Sequence, residues 1–540
     1  MFFYTITIVV IFLIITAYLG YLGYKRTKSS QDYMVAGRQI HPMIMALSYG
    51  ATFISTSAIV GFGGVAGQLG MGVLWLTFLN IFIGIFIAFL IFGKRTRKMG
   101  HNLDAHTFPE LLGLRFNSKF IQVFSGLIIF IFMPIYASAV LKGGVGFMQS
   151  YFGGSFELWL FVFAAIVAVY VFMGGMKGVM YTDAFQGTIM FAGMVFLLVF
   201  TYVKLGGVVE AHSKLTSLFN EPAVQEQTAK LVKGGFRGWT SMPQFNTAIW
   251  WSLITSIVMG VGIGVLAQPQ LVVRFMTVKS NRELNRAVVS GGVFILMMTG
   301  VAFVVGALAN VIFFDTTGKV ALAVGVDNII PEYIKNHVPA WFGAVFLVTL
   351  LAAAMSTLSS QFHAMGTAIG RDVYERSMGK KGNSLLITKS GVAVVIIIST
   401  VLTWLSSKLD ASVGIIASGT SLFFGLTAAS FLPAYVGALY FKKMPKAAAE
   451  WGIVAGFLSS FFWIFFIHAK NATSLQLCNL LFGKAYLVQN TGMNFLSQYD
   501  AIIVALPVSL LVTAAVWLVY ALRNKHSIDN THIERCFSGI

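Results

Sequence analysis

The chain has 540 residues, of which 57% are hydrophobic and only 10% charged, against roughly 45–50% apolar in a soluble domain. A soluble core cannot cover that surplus, so the composition reads as an integral membrane protein. The net charge of +18 does not point to nucleic acid, because Lys and Arg are scattered between apolar stretches and read as orientation signals in a bilayer.

Segments of about 20 apolar residues can cross a bilayer. Thirteen are predicted, at 2–24, 43–68, 72–93, 120–148, 156–174, 180–204, 248–275, 286–313, 339–368, 386–406, 411–440, 450–468 and 499–521. The first starts at Phe2 without a charged flank or a small-residue cleavage pattern, so a retained helix is expected and not a signal peptide. Across alternate connections, 26 of the 37 Lys and Arg fall on one side. The excess marks the cytoplasmic side, which puts the N-terminus outside and the C-terminus inside. Pieces 205–247 and 469–498 fall outside, and neither has an apolar pattern long enough for a core of its own. Cys478 and Cys536 are the only cysteines, which excludes a disulfide scaffold or a cysteine-rich metal site.

Two spans stand out for glycine. The second carries Gly50, Gly61, Gly63, Gly64 and Gly67; the seventh carries Gly260, Gly262 and Gly264 and then Pro269. Each opens a run of five spans, and an odd number inverts the second run relative to the first. Interrupted helices at matching places of two inverted halves point to a transporter's midplane site. The glycines taken singly would equally serve close helix packing. The expected organisation is a peripheral helix and cytoplasmic loop (1–42), a first repeat (43–204), an external loop (205–247), a second repeat (248–440), and two peripheral helices with a short tail (441–540).

In the ninth span, Ser356, Thr357, Ser359 and Ser360 crowd into five positions of an otherwise apolar run. At roughly 100° per residue they share one arc with Ala353. Hydroxyls and unwound carbonyls, such as those around Ala51 and Ile54, can replace a cation's water shell without a permanent charge that would hold it too tightly. Single hydroxyls in such helices more often bond back to their own turn. Asp183 lies within the sixth span, where a carboxylate costs upwards of ~2.5–3.5 kcal/mol and is functional by default; it could also cap a first turn with Thr182. Lys142 falls near the outer interface, His363 reads as packing, and Gln268-Pro269-Gln270 marks a bend. No metal-binding, nucleotide or nucleophile motif is present, so neither an enzyme nor an organic cofactor is expected, and no obligate protein partner is evident.

Several stretches, in order, resemble the sodium:solute symporters: QDYMVAGRQI (31–40), ALSYGATFIS (46–55), HTFPELLGLRF (106–116), VFMGGMKGVMYTDAFQ (171–186), QPQLVVRFM (268–276), AAAMSTLSS (352–360), GRDVYER (370–376) and the run 432–456. The resemblance implies an all-α, LeuT-type core of two inverted five-helix repeats in the cell membrane, carrying a small organic solute with Na⁺ as coupling ion. It implies a first sodium site at Ala51, Ile54, Ala353, Ser356 and Thr357, and a second at Asp183, Ser356, Ser359 and Ser360. Solute contacts are expected from Phe53, Ser55, Ser57, Tyr136 and Gln268. Sodium/proline carriers place an aspartate where this chain has Phe53, and carriers of monocarboxylates often have an aromatic there. The expected solute is therefore a monocarboxylate-type anion, with a proline-like amino acid as the alternative. A proton-coupled carrier on the same fold, using Asp183 and His363, is the other alternative.

Overall fold

A computed structural model describes residues 2–379, 384–408, 415–523 and 530–540. Residues 380–383 of the loop 371–389, residues 411–414 of the predicted span 411–440 and residues 524–529 of the tail lie outside the described residues. Among the described residues the chain is helical throughout, with one isolated bridge between Ile40 and Val278.

Among the described residues, eleven helices are long and apolar enough to cross a membrane. The difference from thirteen has two local causes. The predicted span 43–68 is two half-helices, Pro42–Phe53 and a second that begins after Thr56 and runs on through Gly63–Leu69. The predicted span 156–174 is the first part of Phe156–Lys204, which bends at Gly175 (φ 52°, ψ −174°), a conformation that favours glycine. Its apolar stretch, Phe156–Val169, is shorter than a full crossing.

Burial separates core from periphery. The apolar window of Ala340–Glu375 is 94% buried, whereas those of Phe3–Arg26 and Ala501–Leu522 are only 22% buried. The hydroxyl-bearing helix Ala340–Thr367 is surrounded by Phe156–Lys204, Lys119–Phe152 and Pro42–Phe53. Helix Phe2–Arg26 leans on Phe156–Lys204, while Lys446–Phe462 and Ala501–Leu522 pair with each other against Ile415–Tyr440. The outermost helices keep Phe3, Ile14, Leu511 and Leu522 exposed, as lipid-facing surface requires.

The glycines of the second span pack more than they unwind. A Cβ on Gly64 would stand 2.0 Å from the Val326 carbonyl oxygen, and one on Gly306 would stand 2.0 Å from that of Gly63. Helices Gly63–Leu69 and Val301–Thr317 thus touch backbone to backbone, as small residues permit in a membrane. The loop 205–247 is also more ordered than its sequence suggests. It forms three short helices and buries Trp239, whose indole N–H donates to the Gly67 carbonyl at 2.8 Å.

Candidate cation and solute site

Both predicted interruptions exist, each with a local cause. Pro42–Phe53 stops at Ile54, which is extended (φ −91°, ψ 102°). Ser55 then caps the restarted helix, its Oγ accepting from the Ser57 N–H at 3.1 Å. In the predicted second repeat, Pro269 forces Gln268 out of the helical region (φ −75°, ψ 116°) and starts the next helix as its first residue. Gln268 stays at the break, its Nε2 donating to Thr427 Oγ1 at 2.7 Å and to the Gly264 carbonyl at 3.3 Å.

The hydroxyl helix meets the first break directly. Ser356 Oγ donates to the Ala51 carbonyl at 2.9 Å and approaches that of Ala353 at 3.3 Å. Thr357 Oγ1 donates to the Thr52 carbonyl at 3.0 Å. All five residues are completely buried or nearly so, and Ile54 lies at the end of the same half-helix. This cluster of neutral oxygens at a helix end, with backbone carbonyls freed by the break, has the chemistry of a site for a monovalent cation.

Beside it lies a node that sequence reasoning did not assemble. Asp183 and Arg274 form an ion pair at 2.8 Å with no exposed surface on either side chain. The same Arg274 Nη2 reaches Thr52 Oγ1 at 2.5 Å and Ser360 Oγ at 2.6 Å, while Nε donates to Ser48 Oγ at 3.1 Å. Asp183 Oδ2 also accepts from Ser48 at 2.9 Å and Thr52 at 3.1 Å. Ser359 comes only to 3.5 Å of Asp183 Oδ1 and donates to the Ser356 carbonyl at 3.1 Å. Two signals could have exposed the node. Ser48 and Thr52 are four apart on one helix face, and Arg274, counted with the cytoplasmic loop charges, is as unusual inside an apolar run as Asp183.

A narrow cavity of about 20 Å³ lies on the other side of the break, room for roughly one water. Phe53, Ser55 and Tyr136 line it, together with Asn80, Thr299 and Thr420; Ser57 and Gln268 do not. Tyr136 bonds to Ser55, and its ring stands edge-on to Phe424 at 5.3 Å, which also stacks on Phe53 at 6.4 Å. Among the described residues, no acidic or basic side chain lines this cavity.

The two ends of the site differ. At one, Lys142, Asp327, Glu332, Glu157 and Lys408 line a broad vestibule of about 450 Å³. At the other, polar contacts gather: Arg371 bonds Glu110 at 2.9 Å and Glu375 at 2.5 Å, and Asp372 accepts from Thr107 at 2.6 Å and Gln122 at 3.0 Å. Burial works to raise the Glu110 pKa, but hydrogen bonds from His106 and the charge of Arg371 outweigh it and hold the carboxyl below its ordinary value of 4.5. A depressed carboxyl stabilises the fold above its unfolded pKa, and that contribution fades as pH falls through the folded value. Glu110→Gln is therefore expected to lower the apparent melting temperature of the detergent-purified protein equally at pH 8 and pH 5.5. The difference should start to close only below the ordinary value of 4.5 and vanish as pH falls through the lowered folded value; a difference that closes already between pH 8 and 5.5 would contradict this role.

A sequence model of the sodium:solute symporter family matches residues 33–456. The chain belongs to the sodium:solute symporter family. It is thus a multi-pass carrier of the plasma membrane. Sodium/proline symporter 2 of Staphylococcus saprophyticus is 27% identical to this symporter over 513 residues, covering 92% of each chain. The osmoregulated proline transporter OpuE of Bacillus subtilis is 28% identical, covering 84% of this chain and 87% of its own. Among solved structures, a Na⁺-coupled sialic acid symporter in a substrate-bound outward-open state superposes with a TM-score of 0.72 at 17% identity, covering 96% of this chain and 97% of its own. At that identity the likeness concerns the fold, which is LeuT-like.

Proposed function

We propose that this symporter imports a small zwitterionic amino acid of the proline type together with sodium, by alternating access between the two inverted repeats. The observation that carries the reading is the approach of Ser356 and Thr357 to the carbonyls of Ala51 and Thr52 at the first break, next to an uncharged cavity. Sodium takes the oxygens of Ala51, Ile54, Ala353, Ser356 and Thr357. Binding there turns the two hydroxyl protons away and ties the half-helix Pro42–Phe53 to the hydroxyl helix. That contact orders Phe53 and Ser55, which line the solute cavity, so that ion and solute favour the same arrangement.

The cavity's chemistry favours a zwitterion over a simple anion. A broken helix offers a carbonyl-rich end at Phe53 to an ammonium group, and the start of the next half-helix at Thr56 to a carboxylate. A monocarboxylate would use only the second and meets no basic side chain in the lining. The names of the relatives, sodium/proline symporter and proline transporter, favour the same choice, and the leaning towards a monocarboxylate drawn from Phe53 gives way to it. Energetics agree. One Na⁺ crossing ~100 mV contributes roughly 2.3 kcal/mol and a tenfold gradient roughly 1.4, enough for several-hundred-fold accumulation of a solute without net charge. A monovalent anion moving with one ion would forfeit the electrical part.

Counting each half-broken and bent segment as one crossing gives thirteen, with the N-terminus outside and the vestibule of Lys142 and Asp327 facing out. The pairs around Arg371 then close the cytoplasmic side. The test is a panel of labelled L-proline, L-alanine, lactate, pyruvate and acetate offered to proteoliposomes under an inward sodium gradient. L-Proline should accumulate and be displaced by other small amino acids but not by lactate. Accumulation of lactate or acetate alone would overturn the substrate reading.

A further inference from the structure

We propose that the vestibule holds a landing site for the zwitterionic solute, where Lys142 takes its carboxylate and Asp327 its ammonium before it reaches the cavity at the break. The inference rests on the amino-acid reading above and adds to it a binding step that needs no sodium.

Three observations carry it. The first is an ion pair left open. Lys142 Nζ stands 4.0 Å from the nearest Asp327 oxygen, and the two side chains are only 10% and 5% exposed. That separation is beyond hydrogen-bond reach, whereas Lys408–Glu157 and Arg371–Glu110 in the same molecule close to 2.9 Å. Lys142 spends one of its three N–H groups on the Ser406 carbonyl at 3.0 Å. Both Asp327 oxygens are buried without a hydrogen bond, and Lys470 and the N–H groups of Ile415 and Ile416 face them only from farther off. Buried charges without close partners are costly, so this gap favours a ligand that carries both opposite signs. An α-amino acid has its ammonium and carboxylate on one carbon, and can accept from Lys142 and donate to Asp327 at once. A simple anion would satisfy Lys142 alone and be repelled by Asp327.

The second is that the other charges of the vestibule are already paired. Lys408 bonds Glu157 at 2.9 Å, and Glu332 accepts from Ser150 at 3.1 Å and from Asn336 at 2.8 Å. At about 450 Å³ the vestibule has room for an amino acid.

The third is position. Lys142 lies six residues beyond Tyr136 on one helix, about 9 Å along its axis, and Ile416 lies one turn before Thr420 on another. Lys142 and Ile416 line the vestibule, while Tyr136 and Thr420 line the cavity at the break. Gly143, in the vestibule wall, packs on Thr56, whose hydroxyl donates to the Val140 carbonyl at 2.7 Å. The vestibule therefore sits directly over the restart of the broken helix, and a solute held there is one short step from the cavity.

The test measures equilibrium binding of labelled L-proline to the purified full-length protein with and without sodium, and its uptake by proteoliposomes under an inward sodium gradient. Without sodium, wild type should bind proline weakly, with half-saturation in roughly the millimolar range; sodium should add a tighter component. Lys142→Gln and Asp327→Asn should each abolish the sodium-free component and keep the tighter one. They should raise the proline concentration for half-maximal uptake roughly tenfold, as loss of one charged contact implies, and leave the sodium dependence of uptake unmoved. Lys142→Arg keeps the charge and should keep the weak component. A side chain at Gly146 meets open space in the vestibule, so Gly146→Trp obstructs the site without touching the pair and should act like Lys142→Gln. It also decides the matter should a charge variant fail to fold. Lys408→Gln, in the closed pair, is the control and should leave both components as in wild type. Absence of sodium-free binding by wild type, or a sodium-free component indifferent to Lys142→Gln and Gly146→Trp, would overturn the inference and leave sodium-driven proline import standing. No proline binding even in sodium would overturn the substrate reading, and the inference with it.

Discussion

Thr357→Ala is expected to raise the sodium concentration for half-maximal uptake by roughly ten- to a hundred-fold, since a bond from a neutral group to an ion is worth about 1.5–3 kcal/mol and each 1.4 kcal/mol is tenfold. The hydroxyl is buried and directed at the Thr52 carbonyl, so its loss removes one ligand and leaves the backbone oxygens of the break in place. Maximal uptake at saturating sodium should survive. Ser356→Ala should behave alike. Ser359→Ala is the control, because its hydroxyl is bonded to the Ser356 carbonyl and lies 3.5 Å from Asp183. It should shift sodium dependence by less than about threefold, a surface-like effect of under 1 kcal/mol. Equal shifts for Thr357→Ala and Ser359→Ala would remove the first break from the sodium site.

Asp183→Asn should be the most destabilising single change in the core. It keeps the shape and one acceptor oxygen but leaves the Arg274 charge, fully buried, without its partner. Breaking a buried pair in this way costs about 3–5 kcal/mol. The measurable consequence is a large fall in apparent melting temperature and in the yield of monodisperse protein from detergent. Adding sodium should not restore it, because a cation cannot neutralise a bare guanidinium. Arg274→Ala is the converse, since sodium can neutralise the bared carboxylate, and there high sodium should recover part of the loss. An unchanged melting temperature for Asp183→Asn would mean that the buried node of Asp183 and Arg274 does not hold the core together.

The comparison of sequence and structure turns on a few residues. The hydroxyl arc of Ser356 and Thr357 was legible because four hydroxyls in an apolar helix break its pattern, and the structure brings them to the first break. The unwound carbonyls expected around Ala51 and Ile54 do lie at the break; it is the glycine signal that misled. Glycine signalled the broken helix, but Gly63, Gly64 and Gly67 serve contact with Val326, Gly306 and Ile329. The chain unwinds instead at Ile54 and Ser55, where a serine side chain captures the next turn's N–H. In the second repeat the proline at 269 was the truer mark. Gln268 was expected as a solute contact, yet it does not line the cavity and its hydrogen bonds to Thr427 and Gly264 hold that break. Arg274 was hidden by its place near the end of a span, where snorkelling to the interface is the ordinary expectation for a long basic side chain. Only the three-dimensional convergence of Ser48, Thr52, Asp183 and Ser360 reveals it as buried. Partner choice across 90 or more residues of sequence is not written in local pattern; Asp183 and Arg274 stand 91 apart.

Central to the account is that sodium, held by Ser356 and Thr357 against the first break, drives the solute. The most direct measurement is accumulation of labelled L-proline in proteoliposomes containing wild type or Thr357→Ala. Each is run under an inward sodium gradient and, separately, under an inward proton gradient of the same size. Accumulation by wild type with sodium alone, lost in Thr357→Ala at low sodium and regained at high sodium, is the expected result. Accumulation driven equally well by protons, and indifferent to Thr357→Ala, would contradict it.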